Sequence, residues 1–399
     1  MDLNLTTEQQ AFRDEIRGWL EANVPSTPLT PLTEPGGLDA HRAWEKKLFE
    51  AGYAAISWPS AYGGRDADLF SQATFSEEYA RAGAPQRINT LGLGLAGPTL
   101  IAFGTPEQKE KWLPSLLSCD DLWCQGFSEP DAGSDLANIK TSAVREGDEY
   151  VINGQKIWTS LGRWADWMFC LVRTDRDAPK HKGITYIMID MHTPGIEVRP
   201  IMQINGDPGF AEVFFTDVRV PAWNVIGEVN DGWRVAMATL GFERGTGLGS
   251  HVRFSRDLAE LVSLVKAVGL DRDPIVRDRL AQLFVETEVF RHNSYRTLSR
   301  LGSGKPIGPE ASLNKLYWST METRLYEAGM QALGEIAELA PAAPAVMDAL
   351  GEADAKDAWK HWHKQYWYSR ASMIYAGTSE IQKNIISERV LGLPKEPRG

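Results

Sequence analysis

The run EYVINGQKIWTS, residues 149–160, decides how the rest of the chain is read. It is rich in Tyr, Val, Ile, Trp and Thr, residue types that suit a pleated, half-buried surface, and predicts a strand. Four similar runs follow, WMFCLVRT (167–174), GITYIMIDM (183–191), GIEVRPI (195–201) and AEVFFTDVRV (211–220), each closed by turn residues. They predict a middle β domain over 123–230, folded as a sandwich or barrel. On its N-terminal side, residues 1–122 carry helical periods broken by Pro/Gly-rich stretches, and predict a helical domain. On its C-terminal side, helical periods return over 231–269, 273–301, 308–340 and 345–390, so 231–399 predicts a four-helix bundle. The expected fold is therefore α+β and multi-domain, in the order helical domain, β domain, helical bundle.

At 399 residues with 43% hydrophobic content the chain has material for several cores. A formal charge of −11 argues against a nucleic-acid or anionic-membrane partner, since phosphate contacts need clustered Lys and Arg. The opening MDLNLTTEQQAFRDEIRGWLEANV lacks an apolar core run, which argues against a secretory signal or a membrane anchor. It predicts an amphipathic helix instead, with Thr6 and Gln9 at capping-box spacing and Phe12, Ile16, Trp19 and Leu20 on one face. Cys119, Cys124 and Cys170 form no CxxC pair, so neither a disulfide framework nor a zinc site is expected, and a cytoplasmic location fits.

Three motifs are set aside. GLGLAG at 92–97 has the glycine spacing of a dinucleotide fingerprint but lies among helices and runs into Pro98, so close helix packing is the better reading. His361 and His363 are two apart, point to different helix faces and do not predict a metal site. Trp359, Trp362, Tyr366, Trp367 and Tyr368 have helical spacing and are read as core or subunit contact.

Three others carry chemistry. GFSEPDAGSD (126–135) places the Ser128 and Ser134 hydroxyls and small residues at a strand-to-loop junction, where backbone N–H groups can meet a polar planar ligand or phosphate. NGQKIWTS (153–160) adds the Trp158 indole, able to cover a flat ring, with Ser160 two residues on and so on the same strand face. AGTSEIQ (376–382) opens a C-terminal helix.

Together, SEPDAGSD, NGQKIWTS, NDGW (230–233), LGFERG (240–245) and YAGTSEIQKNIISERVLGLP (375–394) resemble the ordered motifs of the acyl-CoA dehydrogenase family, and AGPTLIAFGTPEQKEKWLPSLLS (96–118) resembles its N-terminal domain. The resemblance spans nearly the whole chain. It implies the fold order already derived, a homotetramer or homodimer, and FAD held between the β domain and the bundle. It implies a base that takes the α-proton of an acyl-CoA thioester while the β-hydride leaves to the flavin, with electrons passing to an electron-transfer flavoprotein. Removing an α-proton requires donors on the thioester carbonyl, as in an oxyanion hole. One family donor is a backbone N–H that matches Ala376.

Many relatives read Y-E-G-T where this chain has Tyr375-Ala376-Gly377-Thr378, so the usual carboxylate is missing. A subset that includes isovaleryl- and long-chain-type dehydrogenases has Ala or Gly there and carries its Glu on another helix, before an Arg. Glu243-Arg244 matches that position. The resemblance thus implies Glu243 as the base and Arg244 near the CoA thioester.

By the same resemblance Phe127, Ser128, Gly133 and Ser134 match flavin-loop positions, Ser134 also reaching the substrate side. Trp158 and Ser160 match residues flanking the ring, Thr378 and Glu380 match positions near the FAD phosphates and adenosine, and Gln331 matches one lent by a neighbouring subunit. Two departures stand out. The family's R-x-x-F-G segment is replaced by KAVGLDRDP (266–274), and its Q-x-x-G-G stretch reads Gln331-Ala332-Leu333-Gly334-Glu335. Two other readings stay open: oxygen or elimination chemistry, and membership of a hetero-oligomer like those of steroid-degrading relatives. The acyl group is not readable, beyond a weak preference for branched, long or alicyclic chains.

Overall fold

The structure, a computed structural model, describes residues 6–246, 251–302, 308–309, 311–338 and 354–395, without the side chains of 243–246, 301–302, 336 and 354–360. Its contacts divide into two compact units, Ala11–Gly247 and Leu248–Gly399 together with Met1–Gln10.

The N-terminal helices are α1 (Thr7–Asn23), of which the first unit takes Ala11 onward, α2 (Gly37–Glu50), α3 (Leu69–Arg81), α4 (Gly97–Phe103) and α5 (Pro106–Ser118). The expected cap of α1 is present: the Gln9 N–H donates to Thr6 Oγ1 at 3.2 Å and the Thr6 N–H to Gln9 Oε1 at 3.0 Å. Ile16 and Leu20 from its apolar face are buried. A second capping box, Thr105 with Gln108, starts α5.

Seven strands follow: β1 (Trp123–Gly126), β2 (Ser142–Glu146), β3 (Glu149–Ser160), β4 (Trp167–Arg173), β5 (Ile184–Asp190), β6 (Ile196–Ile201) and β7 (Phe210–Pro221). They form one sheet in the order β1-β4-β2-β3-β7-β6, with β5 antiparallel to β4. Each predicted strand run falls on a strand. β4 and β5 are buried along almost their whole length, which explains their unbroken apolar letters: a strand covered on both faces has no wet side to alternate toward. One side of the sheet packs Phe127, Phe169 and Tyr186 with Trp112 and Leu116 from α5 and Trp58 from the link between α2 and α3, and the other packs Ile152, Met168, Cys170, Ile187 and Val213. All three cysteines are buried free thiols.

GLGLAG forms a single π-helical turn (Gly92–Ala96) leading into α4. Its last glycine explains the motif. A Cβ on Gly97 would lie 2.0 Å from Cζ2 of Trp58, whose indole N–H donates to the Leu93 carbonyl in the core. Gly97→Ala is therefore expected to lower stability by about 1–3 kcal/mol, the usual cost of overpacking, despite the better helix propensity of Ala. A urea unfolding curve at or above the parent midpoint would contradict it.

After β7 comes α6 (Gly232–Thr246), which belongs to the first unit and packs against β5. The expected single helix over 231–269 is thus two helices, and residues 247–250 lie outside the described residues.

The second unit contains α7 (His251–Ala267), α8 (Pro274–Gly302), α9 (Ala311–Leu333), α10 (Asp354–Ser369) and a short α11 (Ser379–Ile385). Phe254, Leu261, Phe290, Met321, Leu325, Tyr326 and Trp362 make its core. Gly329 lets Trp362 close on α9, since a Cβ there would be 2.2 Å from the indole. The expected helix over 345–390 is interrupted: Ala371–Met373 is a 3₁₀ turn, and Ala376 and Gly377 both take left-handed backbone, with φ of 51° and 85°. Two successive left-handed residues cannot continue a right-handed helix. Thr378 then starts α11 by accepting the Ile381 N–H.

Candidate active site

In the first unit the 126–135 and 153–160 stretches are locked together from below. β1 ends at Gly126, and the chain turns back at a two-way backbone bridge between Glu129 and Ala132. The Ile157 N–H donates to the Ser128 carbonyl at 2.9 Å, joining the 126–135 loop to β3. Beneath that joint lies an ion pair the sequence did not reveal. Lys156 Nζ, wholly buried, donates to Glu129 Oε1 at 2.8 Å and to the Phe127 carbonyl at 3.1 Å. The Glu129 carboxylate also accepts the N–H groups of Lys140 (2.6 Å) and Thr141 (3.0 Å). Burial alone would push the Glu129 pKa up, but the Lys156 ammonium and these donors outweigh it and hold it below the usual carboxylate range.

Above this pair the residues named from the sequence divide by exposure. Phe127 is buried, with its ring edge-on to Phe169 and Tyr186. Ser128 and Ser160 are half-buried, Gly133 and Ser134 are exposed, and a Cβ on Gly133 would meet nothing within 4 Å. Trp158 is 57% exposed, with its indole edge-on to Phe210. Its backbone departs from the even strand expected here. The pairing of β3 with β7 shifts between Lys156 and Thr159, and Trp158 has a φ of 58°. For a bulky residue that conformation is costly. Here the bulge turns a large indole outward while Thr159 beside it stays buried.

α6 carries Glu243 and Arg244, whose side chains lie outside the described residues. Its earlier turns are firmly seated. Thr239 Oγ1 is 2.8 Å from Thr99 Oγ1 in the core, and a Cβ on Gly232 would lie 2.5 Å from the backbone of β5 at Thr185.

In the second unit, Ala376 and Glu380 are exposed and Thr378 is half-buried. The Gln382 side-chain amide donates to the carbonyls of Ala376 (3.1 Å) and Gly377 (3.3 Å). Among the described residues nothing accepts the Ala376 N–H. Gln331, at the end of α9, lines a mostly apolar cavity of about 320 Å³ with Leu261, Leu270, Val276 and Arg279. Both departures from the family pattern lie nearby. The 266–274 segment is a helix-to-helix link in which Gly269 takes left-handed backbone and Asp273 Oδ1 accepts the N–H groups of Ile275 and Val276 at the start of α8. Gly334 is also left-handed, whereas Glu335 is exposed in a 3₁₀ turn with no need for glycine.

His361 and His363 part as expected: His363 meets the Ala337 carbonyl, and His361 faces Glu260 at 3.7 Å. Asp257, Glu260 and His361 bring ligand atoms within 4.8 Å of one another, but Arg256 and the Tyr326 hydroxyl already engage the acids.

Comparison with known proteins finds one family in three successive segments of the chain. The descriptions "Acyl-CoA dehydrogenase, N-terminal domain", "middle domain" and "C-terminal domain" match residues 6–120, 124–218 and 230–391. The chain is 41% identical to acyl-CoA dehydrogenase IpdE1 of Mycobacterium tuberculosis over 397 residues, 98% of this chain and 99% of that protein. Among solved structures it is similar to the Tcur3481-Tcur3483 steroid ACAD, with a TM-score of 0.85 at 28% identity, covering 99% of this chain and 100% of that one. It is also similar to the ChsE4-ChsE5 complex from Mycobacterium tuberculosis, with a TM-score of 0.82 at 31% identity, covering 99% and 100%.

Proposed function

Because the chain belongs to the acyl-CoA dehydrogenase family and is an enzyme of that kind, we propose that it carries out FAD-dependent α,β-dehydrogenation of an acyl-CoA thioester to the trans-2-enoyl-CoA. The observation that carries this reading is the exposed Trp158 indole, turned outward at the bulge of β3, on a strand that the Ile157 N–H ties to Ser128 of the 126–135 loop; an exposed aromatic plane on a strand joined to a loop with exposed Gly133 and Ser134 suits an isoalloxazine ring. Phe127, Ser128, Gly133, Ser134, Trp158 and Ser160 would hold the ring, and Thr378, Glu380 and a neighbouring subunit's Gln331 the dinucleotide end. Bound FAD supplies the acceptor for the β-hydride. The division into domains at 1–122, 123–230 and 231–399 is part of the same proposal.

Within this reading Glu243 takes the α-proton. The Ala376 N–H, unclaimed among the described residues, donates to the thioester oxygen as negative charge develops there. Replacing Glu by Ala at 376 leaves that donor intact, because it belongs to the backbone. Arg244 and Ser134 serve the thioester end. Electrons pass on to an electron-transfer flavoprotein.

A second reading concerns assembly. Two similar solved structures are named as pairs of chains, one of them a steroid ACAD, which favours a hetero-oligomer over the homotetramer expected from the family. In it this chain is the base-bearing member, and an alicyclic acyl group becomes the first substrate to try. Among the described residues no helix is long and apolar enough to cross a membrane.

The test is an anaerobic titration with straight, branched and alicyclic CoA thioesters, following the bleaching of flavin absorbance. Reduction by one class supports the reading; bound flavin that no thioester reduces would turn it toward oxygen or elimination chemistry. A narrower check concerns the ring. Trp158→Ala should weaken FAD retention roughly tenfold, in line with the loss of an aromatic face. Unchanged FAD affinity in a fluorescence titration would remove Trp158 from the site.

A further inference from the structure

We propose that Glu322 is a positioning residue that fixes the turn carrying Ala376, acting through the hydroxyl of Ser372. The consequence for catalysis rests on the dehydrogenase reading above.

Glu322 lies on α9 and is 1% exposed. Arg253 from α7 donates to its Oε1 at 2.5 Å, and the Ser372 hydroxyl donates to its Oε2. An ionised carboxylate only accepts, so the single proton of Ser372 points at Glu322. The Tyr375 hydroxyl, 3.2 Å from Ser372 Oγ, must then be the donor of that pair. Tyr375 remains a phenol, because burial pushes its pKa up to about 12. A polarised chain results: Tyr375 to Ser372 to Glu322, closed by Arg253.

Lys315, two turns before Glu322 on α9, holds the other polar side of Ser372 by donating to its carbonyl, and its Nζ lies 5.3 Å from the Tyr375 ring centroid. On the far side Gln382 ties down the carbonyls of Ala376 and Gly377. Between these anchors Ala376 sits at φ 51°, a left-handed state that strains a non-glycine residue and persists only where the surroundings impose it. The Ala376 N–H, like those of Gly377 and Thr378 after it, has no acceptor among the described residues.

Stability alone does not call for a carboxylate here. A buried ion pair is often matched or bettered by well-packed apolar residues of similar volume. What an apolar side chain cannot do is orient the Ser372 hydroxyl, and through it Tyr375, one residue before the donor.

The experiment uses Glu322→Gln and Ser372→Ala in the full flavin-loaded protein. Hydrogen exchange by mass spectrometry would follow the amides of Ile374 and Tyr375, both bonded to the Ala371 carbonyl. Exchange there should quicken about tenfold or more while the amides of β4 stay unchanged. With the CoA thioester that best reduces the parent, flavin reduction should slow about 10- to 100-fold and the thioester Kd should move less than about threefold, as expected for a misaimed oxyanion donor. Unchanged exchange in both variants overturns the inference, as does faster exchange with an unaltered reduction rate. Should no thioester reduce the parent, the dehydrogenase reading falls, while the exchange data still decide whether Glu322 holds the turn. Ser372→Ala, which removes one small neutral group, keeps the test decisive if Glu322→Gln does not fold.

Discussion

Glu243→Gln is expected to keep its flavin and to slow flavin reduction by a CoA thioester at least about several-hundred-fold, on the scale of losing a general base. The amide matches the carboxylate in shape but cannot take up a proton. Position 376 offers no substitute, because it is alanine. Stopped-flow reduction of parent and variant by the same thioester measures the effect, and retained full turnover would remove Glu243 from its assigned role. A second carboxylate can then be introduced where many relatives carry it: Ala376→Glu in the Glu243→Gln background should recover part of the rate with shorter acyl chains. Ala376 is already left-handed and exposed, so the added side chain brings little new backbone strain.

Lys156→Met should produce the largest loss of stability, about 3–5 kcal/mol, the usual cost of leaving one charge of a buried pair alone. The Glu129 carboxylate would stay buried with two backbone donors and no cation. Because the pair underlies both the 126–135 loop and the Trp158 bulge, flavin should be lost in the same transition. Glu129→Gln should cost a similar amount by orphaning Lys156. The double variant should recover much of the loss, since two neutral partners leave no buried charge; a cycle of four urea curves tests this. A Lys156→Met protein as stable as the parent would show that the pair contributes nothing.

The same pair gives stability a pH dependence of definite sign. The folded Glu129 pKa lies below its unfolded value of about 4.3. Its contribution is therefore complete above that value and is lost as pH falls through the folded pKa. Lys156→Met should flatten this acid-side slope.

Much of the architecture was legible in the letters because local rules govern it. The capping box at Thr6 and Gln9 formed as its spacing implied, and each run rich in β-branched and aromatic residues became a strand. The apolar letters of β4 predict a strand, and its burial along almost its whole length shows that both faces are covered once the sheet has packed. The 126–135 and 153–160 motifs meet at one joint, where the Ile157 N–H donates to the Ser128 carbonyl, and Phe127 and Trp158 flank it as chain neighbours.

Only the tertiary structure decided the rest. Glu129 and Lys156 are 27 residues apart, and nothing in either motif says that their charges meet underground. The same holds for Glu322 and Ser372, 50 residues apart. The left-handed turns at Trp158 and Ala376 could not be read either, because both residue types favour ordinary backbone and are held otherwise by partners from elsewhere in the chain. Sequence periodicity reports which face of an element is buried. Where two charges pair, and where a turn is forced against its preference, depends on contacts that exist only once the elements have packed.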